Sequence, residues 1–265
     1  MSEQQYQVLA RKYRPQFFGE LVGQDVLVQT LKNEIEQNKI HHAFVLTGIR
    51  GIGKTTTSRI IAKSLNCEGF PNPTITPCLQ CSHCASIANS ADPDVIEFDA
   101  ASHTGVDDVR RIIDNIEYAP INSRYKIYII DEVHMLSKSA FNALLKTLEE
   151  PPAYVKFIFA TTEIKKVPIT ILSRCQRFDL RRLTFDEIKT YIKGICEKEN
   201  YDIEDGALNL ISSASEGSVR DSLSLLDRAL SFNNYEKLLT EKSIGDMLGL
   251  SNKKDVYNLF NFLLD

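Results

Sequence analysis

The sequence predicts an α/β fold in which a mostly parallel sheet is flanked by helices and followed by a small helical domain. Short apolar segments of strand length alternate with amphipathic helical patterns as far as about Arg181, which is typical of βαβ units. Beyond that residue, helical patterns replace the strands. With 265 residues, the chain is long enough for two domains of ordinary size.

The predicted sheet contains four strands, because four short apolar runs are each bounded by charged or turn-forming residues. These strands are residues 43–47, 95–99, 126–130 and 156–160, and residues 176–180 are the candidate for a fifth strand that would complete the sheet. Between them we expect helices over residues 54–65 and 106–116, and a third helix that Ser137 caps and Pro151 ends. Helical spacing also indicates helices over residues 185–200, 203–215, 218–231 and 241–265.

Composition and charge limit the possible environment of the protein. Hydrophobic residues make up 43% of the chain and charged residues 25%, a balance typical of a soluble globular protein. The formal net charge of −4 does not favour a generic polyanion binder. We see neither a signal-peptide pattern nor the roughly 20 consecutive apolar residues of a membrane helix. We therefore expect a cytoplasmic protein without membrane partners, in which cysteines stay reduced.

A phosphate-binding loop follows the first predicted strand. Residues 48–55, Gly-Ile-Arg-Gly-Ile-Gly-Lys-Thr, fit the pattern G-x-x-x-x-G-K-[ST] and open a predicted helix. Glycines let successive N–H groups turn toward phosphate oxygens, and Lys54 adds a full positive charge. A chance glycine-rich turn is the alternative, but the strand and helix around the loop favour ATP binding. The predicted contacts are Gly48, Gly51, Ile52, Gly53, Lys54, Thr55 and Thr56.

Two acids, Asp131 and Glu132, close the third predicted strand. In phosphate-loop proteins this strand end lies beside the loop, so Asp131 and the Thr55 hydroxyl are the predicted Mg²⁺ ligands. Glu132 is then the predicted general base for an attacking water. Two solvated acids at a strand end are the alternative interpretation. Together with the loop, the acidic pair favours ATP hydrolysis over nucleotide binding alone.

Four cysteines lie close together after the first predicted helix, with the spacing C-x10-C-x2-C-x2-C. Four thiolates satisfy a tetrahedral, closed Zn²⁺ site, which points to a structural rather than a catalytic metal. Disulfides and free thiols are the alternatives. The predicted ligands are Cys67, Cys78, Cys81 and Cys84; Cys175 and Cys196 are interpreted as packing residues.

Taken together, these motifs resemble the AAA+ ATPases, and within them the gamma/tau family of bacterial DNA polymerase III clamp-loader subunits. The resemblance covers nearly the whole chain. Its motifs are residues 9–15, 21–24, 48–55, the four cysteines, 131–136, 141–152, 160–162, 171–175 and 217–221.

The resemblance implies roles for further residues. Ala10 and Val22 lie in segments that border the adenine pocket in this family. Either Thr161 or Thr162 is expected to sense the γ-phosphate. Arg220 resembles a second sensor that contacts the nucleotide of its own subunit. Arg174, in Ser-Arg-Cys, resembles an arginine finger that reaches ATP on a neighbouring subunit, so efficient hydrolysis should require assembly.

The family also implies a function. We expect an ATPase motor subunit that drives loading of a sliding clamp onto primer–template DNA, within the polymerase III holoenzyme but without polymerase chemistry of its own. Other loader subunits in a hetero-oligomeric ring, the clamp and the DNA are the implied partners. Polymerase and helicase are further candidates, through a region beyond residue 265. If a collar domain lies there, the present chain should be mainly monomeric with feeble ATPase.

Domain boundaries follow from the same interpretation. We assign residues 1–180 to the nucleotide-binding domain, with the cysteine module at about 66–86, residues 181–242 to a helical lid and 243–265 to the start of a collar domain.

The sequence gives weaker indications of contacts with DNA. Residues 101–105 should face the DNA chamber, but they carry His103 and Gly105 instead of basic residues. The other candidates for DNA contacts are Lys165, Lys166 and Thr170.

Other functional classes fit less well. A structural, non-hydrolysing subunit of the same loader should lack the loop lysine or the acidic pair, and both are present. A small-molecule kinase would need a substrate pocket, and a helicase usually has stronger DNA-contacting loops. A zinc-dependent nucleic-acid-binding module is disfavoured by the sequence pI of about 5.8.

Overall fold

The computed structural model describes residues 6–102, 109, 113–234 and 236–250. The chain divides into two compact units. We call Arg14–Arg181 the α/β unit. The helical unit comprises the described residues of Met1–Tyr13 and Arg182–Asp265.

A five-stranded sheet forms the centre of the α/β unit. Its strands are β1 (Ala43–Thr47), β2 (Val95–Asp99), β3 (Lys126–Asp131), β4 (Val155–Thr161) and β5 (Gln176–Asp179). All neighbours are parallel, in the order β2-β3-β4-β1-β5. The α/β fold with a parallel sheet is confirmed, and each predicted strand agrees with the structure to within one residue at either end.

Helices cover the sheet and form the helical unit. In chain order they are α1 (Leu9–Lys12), α2 (Asp25–Glu36), α3 (Lys54–Asn66), α4 (Ser82–Ala88), α5 (Lys138–Glu149), α6 (Ile169–Leu172), α7 (Phe185–Lys198), α8 (Asp205–Ala214), α9 (Val219–Phe232) and α10 (Glu241–Leu248). Short 3₁₀ helices occur at Phe18–Glu20, Val133–Met135 and Ile164–Lys166. Residues 113–116 are helical, whereas 103–108 and 110–112 of the predicted second helix lie outside the described residues. Across the described part of the chain, no helix is long and apolar enough to cross a membrane.

Each face of the sheet carries its own hydrophobic core, since successive side chains of a strand point to opposite faces. On one face, Phe157 and Phe159 of β4 pack in a cluster with Leu144 of α5. On the other face, Ile158 packs with residues of α2 and α3. All five residues of β1 are buried, because helices cover both faces of the sheet.

Sequence analysis did not predict α2, whose buried residues are only Leu27 and Leu31.

The helical unit contains α7 to α10, together with the N-terminal segment. Leu9 is buried there, and Tyr6 donates a hydrogen bond of 2.7 Å to Asp227 on α9. Lys12 and Tyr13 both contact Glu199, at 2.5 Å. Residues 6–13 therefore pack in the helical unit, whereas the sequence analysis grouped them with residues 14–180. The division into functional domains stays a prediction.

The last described helix packs within the helical unit. Helix α10 contacts α8 and α9, and the predicted start of a collar domain at residue 243 stays a prediction. The helix ends at Leu248 because Gly249 adopts a left-handed conformation with φ of 67°. Residues 251–265, on which the rest of the collar prediction falls, lie outside the described residues.

Asp94 connects the segment before β3 to the start of β2. Its carboxylate is fully buried and accepts hydrogen bonds from the backbone N–H groups of Ile121, Asn122 and Ser123 at 2.8 to 3.0 Å. Burial alone would raise the pKa of Asp94, but the three donors outweigh it and lower the pKa. The charged form therefore stabilises the fold at neutral pH, and this stabilisation is lost as the pH falls through the lowered pKa.

We predict that Asp94→Asn destabilises the protein by about 2–3 kcal/mol at pH 7, because an amide nitrogen would face buried backbone donors. The loss should shrink only below the ordinary aspartate pKa of about 3.9, as the pH falls through the lowered pKa of Asp94 and the wild-type carboxylate loses its charge. Urea unfolding at pH 7 and at about pH 2 would measure both values. Asp179→Asn, at an exposed carboxylate paired with Arg177, is the matched control and should change stability by no more than about 0.5 kcal/mol. An equal effect of both substitutions would contradict the role of Asp94.

Candidate functional site

The loop between β1 and α3 has the backbone of an anion-binding turn. Gly51 and Gly53 have φ of 77° and 104°, which residues with a Cβ atom rarely adopt. No side chain caps α3, which begins at Lys54 directly after Gly53. The first-turn N–H groups of α3 are thus available to an anion. The other predicted phosphate contacts lie in the same loop and in the first turn of α3. Gly48 is half-buried, whereas Ile52 and Thr56 are buried.

Lys54 spans this loop. Its ammonium group donates to the carbonyl oxygens of Gly48 and Ile49, both at 3.1 Å, and the side chain is buried. Burial lowers the pKa of Lys54, while the nearby Glu132 and Asp131 act in the opposite direction. Because its present acceptors are neutral, phosphate oxygens would be stronger partners for the ammonium group.

The two predicted magnesium ligands are in direct contact. The Thr55 hydroxyl donates to Asp131 Oδ2 at 2.6 Å. Asp131 ends β3, in register with Asp99 of β2. Hydroxyl and carboxylate oxygens are suitable Mg²⁺ ligands, so these two residues could hold the ion beside the phosphate loop.

Glu132 is held in a strained conformation next to the end of β4. Its φ and ψ are both 45°, a left-handed conformation that costs about 1–2 kcal/mol for a residue with a side chain. Its backbone N–H donates to Asp131 Oδ1 at 2.9 Å. Its Oε2 accepts from the Thr162 hydroxyl at 2.9 Å and from the Thr162 N–H at 3.2 Å.

The two sensor candidates have different surroundings. The Thr161 side chain is fully buried; its hydroxyl oxygen lies 3.0 Å from His134 Nδ1 and accepts from the Glu163 N–H at 3.0 Å. Thr162 is half-buried and contacts Glu132 directly. Thr162 is therefore the sensor candidate that the structure brings into contact with Glu132.

Arg174 lies at the end of α6 and contacts α5. Its guanidinium group donates to Glu149 Oε1 at 2.5 Å and to the Thr170 carbonyl at 2.7 Å. About a third of the Arg174 side chain, 32%, is exposed. The arginine is thus oriented by its own chain but remains accessible from outside.

The other predicted residues are dispersed over the two units. Ala10 lies on α1 and the exposed Arg220 on α9, both in the helical unit, whereas the half-buried Val22 precedes α2 in the α/β unit. Their nucleotide contacts remain predictions. Lys165, Lys166 and Thr170 are exposed after β4, whereas His103 and Gly105 lie outside the described residues.

The four predicted cysteine ligands come together around one point. Their sulfur atoms all lie within 4.8 Å of one another, compared with about 3.8 Å between sulfurs bound tetrahedrally to one metal at ~2.3 Å. Cys67 ends α3 and Cys84 lies in α4, whereas Cys78 and Cys81 come from the segment between these helices. All six cysteines fall within the described residues, and each is a free thiol.

Backbone donors favour thiolates at this cluster. The N–H groups of Cys78, Cys81 and Cys84 point at the sulfurs of Cys67, Cys78 and Cys81 respectively, at 3.2 to 3.4 Å. Hydrogen bonds from backbone N–H groups lower the pKa of Cys78 to about 6, whereas burial raises the pKa of Cys67 and Cys84. Arg124 holds the module to the sheet by donating to the carbonyls of Leu65, Cys67 and Phe70.

Known protein families match both units. Residues 23–184 match the family described as DNA polymerase III, delta subunit, and residues 187–235 match the DNA polymerase III clamp loader subunit ATPase lid domain. DNA polymerase III subunit gamma of Buchnera aphidicola subsp. Schizaphis graminum is 49% identical over 263 residues, which cover 98% of this chain and 70% of that protein. The chain belongs to the DNA polymerase III gamma/tau family. The predicted resemblance is confirmed.

Other gamma/tau relatives are longer than this chain. The tau subunit of Escherichia coli is 45% identical over 98% of the chain, and that of Bacillus subtilis is 51% identical over 86%. In both cases the match spans 40% of the relative. The chain therefore covers most of the Buchnera gamma subunit but less than half of these tau subunits.

Solved structures support the fold of the gamma/tau chain. The RuvB Holliday junction branch migration motor of Thermotoga maritima superposes with a TM-score of 0.65, covering 90% of this chain and 72% of that one. At 20% identity, this likeness concerns the fold alone. It supports the AAA+ fold, with a parallel five-stranded sheet and a helical lid.

Sequence reasoning missed three polar residues around the gamma/tau site. His134 and Glu163 lie beside Thr161, and Glu149 pairs with Arg174. His134 follows the acidic pair by two residues, which is the one local signal that could have identified it. Glu149 and Glu163 become recognisable only when the fold brings them to their partners.

We predict that Gly69→Ala disrupts the cysteine cluster. A Cβ atom at Gly69 would lie 2.8 Å from Cys78 Cβ and 3.1 Å from its sulfur, so we expect a loss of stability of about 1–3 kcal/mol. Reaction of the cysteines with a chromogenic disulfide reagent should become faster.

The matched control is Gly194→Ala on α7, where a Cβ atom would meet nothing within 4 Å. This substitution should leave thiol reactivity unchanged and be neutral or stabilising, by up to ~1 kcal/mol. Unchanged reactivity in Gly69→Ala would show that the cluster tolerates the added methyl group.

Proposed function

We propose that the chain is an ATP-hydrolysing motor subunit of a bacterial replicative clamp loader. The observation that carries this proposal is the contact between Thr55 of the phosphate loop and Asp131, with Glu132 following directly in the chain. A non-hydrolysing structural subunit would not need this combination. The sequence identity to gamma and tau subunits supports the same role.

The chain's own residues account for the steps of hydrolysis. Lys54 and the first-turn N–H groups of α3 would bind the β- and γ-phosphates, and Thr55 and Asp131 would hold Mg²⁺. The ion would supply charge neutralisation of the phosphates. Glu132 would accept the proton of the attacking water. Thr162, whose hydroxyl contacts Glu132, is the better candidate for the γ-phosphate sensor, because Thr161 is fully buried.

Arg174 would complete the site of a neighbouring subunit. Its contacts with Glu149 and Thr170 hold the guanidinium at the end of α6 while leaving part of it exposed. An arginine supplied in this way neutralises charge that develops on the γ-phosphate during transfer. Hydrolysis would then depend on assembly into a ring with other loader subunits.

The role of a motor subunit also accounts for the proposed loading cycle, DNA contacts, domain roles and location. ATP binding would tighten the ring, open the sliding clamp and grip primer–template DNA, and hydrolysis would release the loaded clamp. Lys165 and Lys166, both exposed, remain candidates for phosphate-backbone contacts. The α/β unit would be the nucleotide-binding domain, and the helical unit a lid in which Arg220 reads the nucleotide. The free cysteines are consistent with a cytoplasmic location.

The cysteine cluster would bind Zn²⁺ as a structural metal. Four thiolates form a closed ligand set, so no open position remains for catalysis. The module between α3 and β2 is small and would gain stability from the metal.

We predict that Arg174→Ala in the full-length protein, assembled with its loader partners, clamp and primed DNA, lowers steady-state ATPase activity by roughly 10³-fold. ATP binding should persist, because the arginine would serve the neighbouring site. Arg177→Ala, at an exposed arginine paired with Asp179, is the matched control and should hydrolyse normally. Normal turnover of Arg174→Ala, or a wild type that clamp and DNA do not stimulate, would exclude this mechanism.

We predict that the purified protein contains about one zinc per chain and that Cys84→Ser loses most of it, since a closed site needs all four thiolates. Elemental analysis after gel filtration would measure the metal content. Cys196→Ser, at a buried cysteine on α7 outside the cluster, should retain the metal. Zinc-free wild type, or equal metal in both variants, would argue against a zinc site.

A further inference from the structure

His134 is a polar residue next to the candidate site that the proposed mechanism has not yet used. It lies in the short 3₁₀ helix Val133–Met135, directly after Glu132. Only 6% of its side chain is exposed, so the ring must find its hydrogen-bond partners within the protein. An imidazole is an unusual choice for such a position if packing alone is required.

Both ring nitrogens face polar groups of the site. His134 Nδ1 lies 3.3 Å from Glu132 Oε2 and 3.0 Å from Thr161 Oγ1. His134 Nε2 lies 3.4 Å from Glu163 Oε1, in the connection that leaves β4. The ring therefore bridges the general base and the end of the neighbouring strand.

The contacts to Glu132 converge on one of its two oxygens. Oε2 accepts from the N–H and the hydroxyl of Thr162, and His134 Nδ1 approaches the same oxygen. A carboxylate fixed through Oε2 would leave its other oxygen, Oε1, to accept a proton from the attacking water. Such fixation matters here because the Glu132 backbone is in a left-handed conformation, which the surrounding contacts must stabilise.

Glu163 anchors the opposite side of the ring. Its carboxylate pairs with Lys166 at 2.8 Å, and its backbone N–H donates to Thr161 Oγ1 at 3.0 Å. Hydrogen bonding to Lys166 lowers the pKa of Glu163. Glu163 Oε1 lies 3.4 Å from Nε2, so the Glu163 side chain packs against the edge of the ring that faces away from Glu132.

We propose that His134 is a positioning residue for ATP hydrolysis: in the tautomer with hydrogen on Nδ1, that N–H is shared between Thr161 Oγ1 and Glu132 Oε2 and orients the Glu132 carboxylate. This inference rests on the proposed function, because it assigns Glu132 the role of general base. In this role His134 acts through Glu132 and not on the nucleotide. Its effect should therefore fall on turnover and not on nucleotide binding.

The test is steady-state ATPase kinetics of His134 variants of the full-length protein in the assembled loader. We expect His134→Ala to lower kcat by roughly 10- to 100-fold with little change in the KM for ATP. His134→Asn places an amide nitrogen near the position of Nδ1 and should restore part of the rate. His134→Gln places it nearer Nε2 and should not.

Two further measurements separate positioning from packing. Unfolding free energies of the three variants show whether a slow variant is simply unfolded. Thr162→Val removes the other side-chain donor to Oε2, so its effect on kcat should be clearly non-additive with that of His134→Ala. His42→Ala, at a half-buried histidine before β1, is the matched control and should leave kcat unchanged.

The outcomes distinguish this inference from the proposed function. If wild type hydrolyses ATP and His134→Ala does so equally well, or if Asn and Gln behave like Ala, the positioning role is wrong while the motor function stands. If KM rises in proportion to the loss of kcat/KM, His134 supports nucleotide binding and the inference is also wrong. If the assembled wild type does not hydrolyse ATP, both the inference and the proposed function are wrong.

Discussion

The parallel alignment of β1, β3 and β4 is the constraint on which the candidate site depends. Because these strands run in the same direction and lie side by side, the segments that follow them meet at one edge of the sheet. The segment after β1 contributes Lys54 and Thr55, the end of β3 contributes Asp131 and Glu132, and the end of β4 contributes Thr162. A one-residue slip of β3 would exchange its core-facing and opposite side chains and move Asp131 away from Thr55. The two-sided core fixes this register, because Phe157 and Ile158 of β4 are both fully buried, on opposite faces.

The same two-sided burial explains which elements could be predicted from the sequence. A strand buried on both faces is a continuous apolar run, so β1, β3 and β4 were recognisable within a residue. The strands β2 and β5, at the edges of the sheet, are only partly buried and contain charged residues. Helix α2 buries only Leu27 and Leu31, and this weak apolar stripe left it unrecognised. Local patterns also do not tell which core a segment joins. Residues 6–13, which the sequence analysis grouped with the α/β unit, pack in the helical unit, since their place depends on partners as distant as Asp227 and Glu199.

The residues of the candidate site also differ in whether the sequence alone could predict them. Lys54, Thr55, Asp131 and Glu132 occur in short motifs in which residue type and spacing carry the chemistry, and the structure brings Thr55 and Asp131 into contact. The residues that orient this chemistry have no such motif. Glu149 becomes a partner of Arg174 only through the packing of α5 against α6, and Glu163 meets His134 only because β4 ends beside Glu132. Supporting polar contacts depend on tertiary structure, so sequence spacing alone does not reveal them.

The connection between β4 and β5 begins at Thr162, beside Glu132, and ends near Arg174, whose guanidinium group donates to Glu149 and is partly exposed. Val167 and Ile171, between these ends, are buried against the sheet. Because a close-packed segment transmits displacement instead of absorbing it, a shift at Thr162 would be carried along α6 to the guanidinium group. The two ends of this connection would then move together, so a change beside Glu132 would alter the position of Arg174.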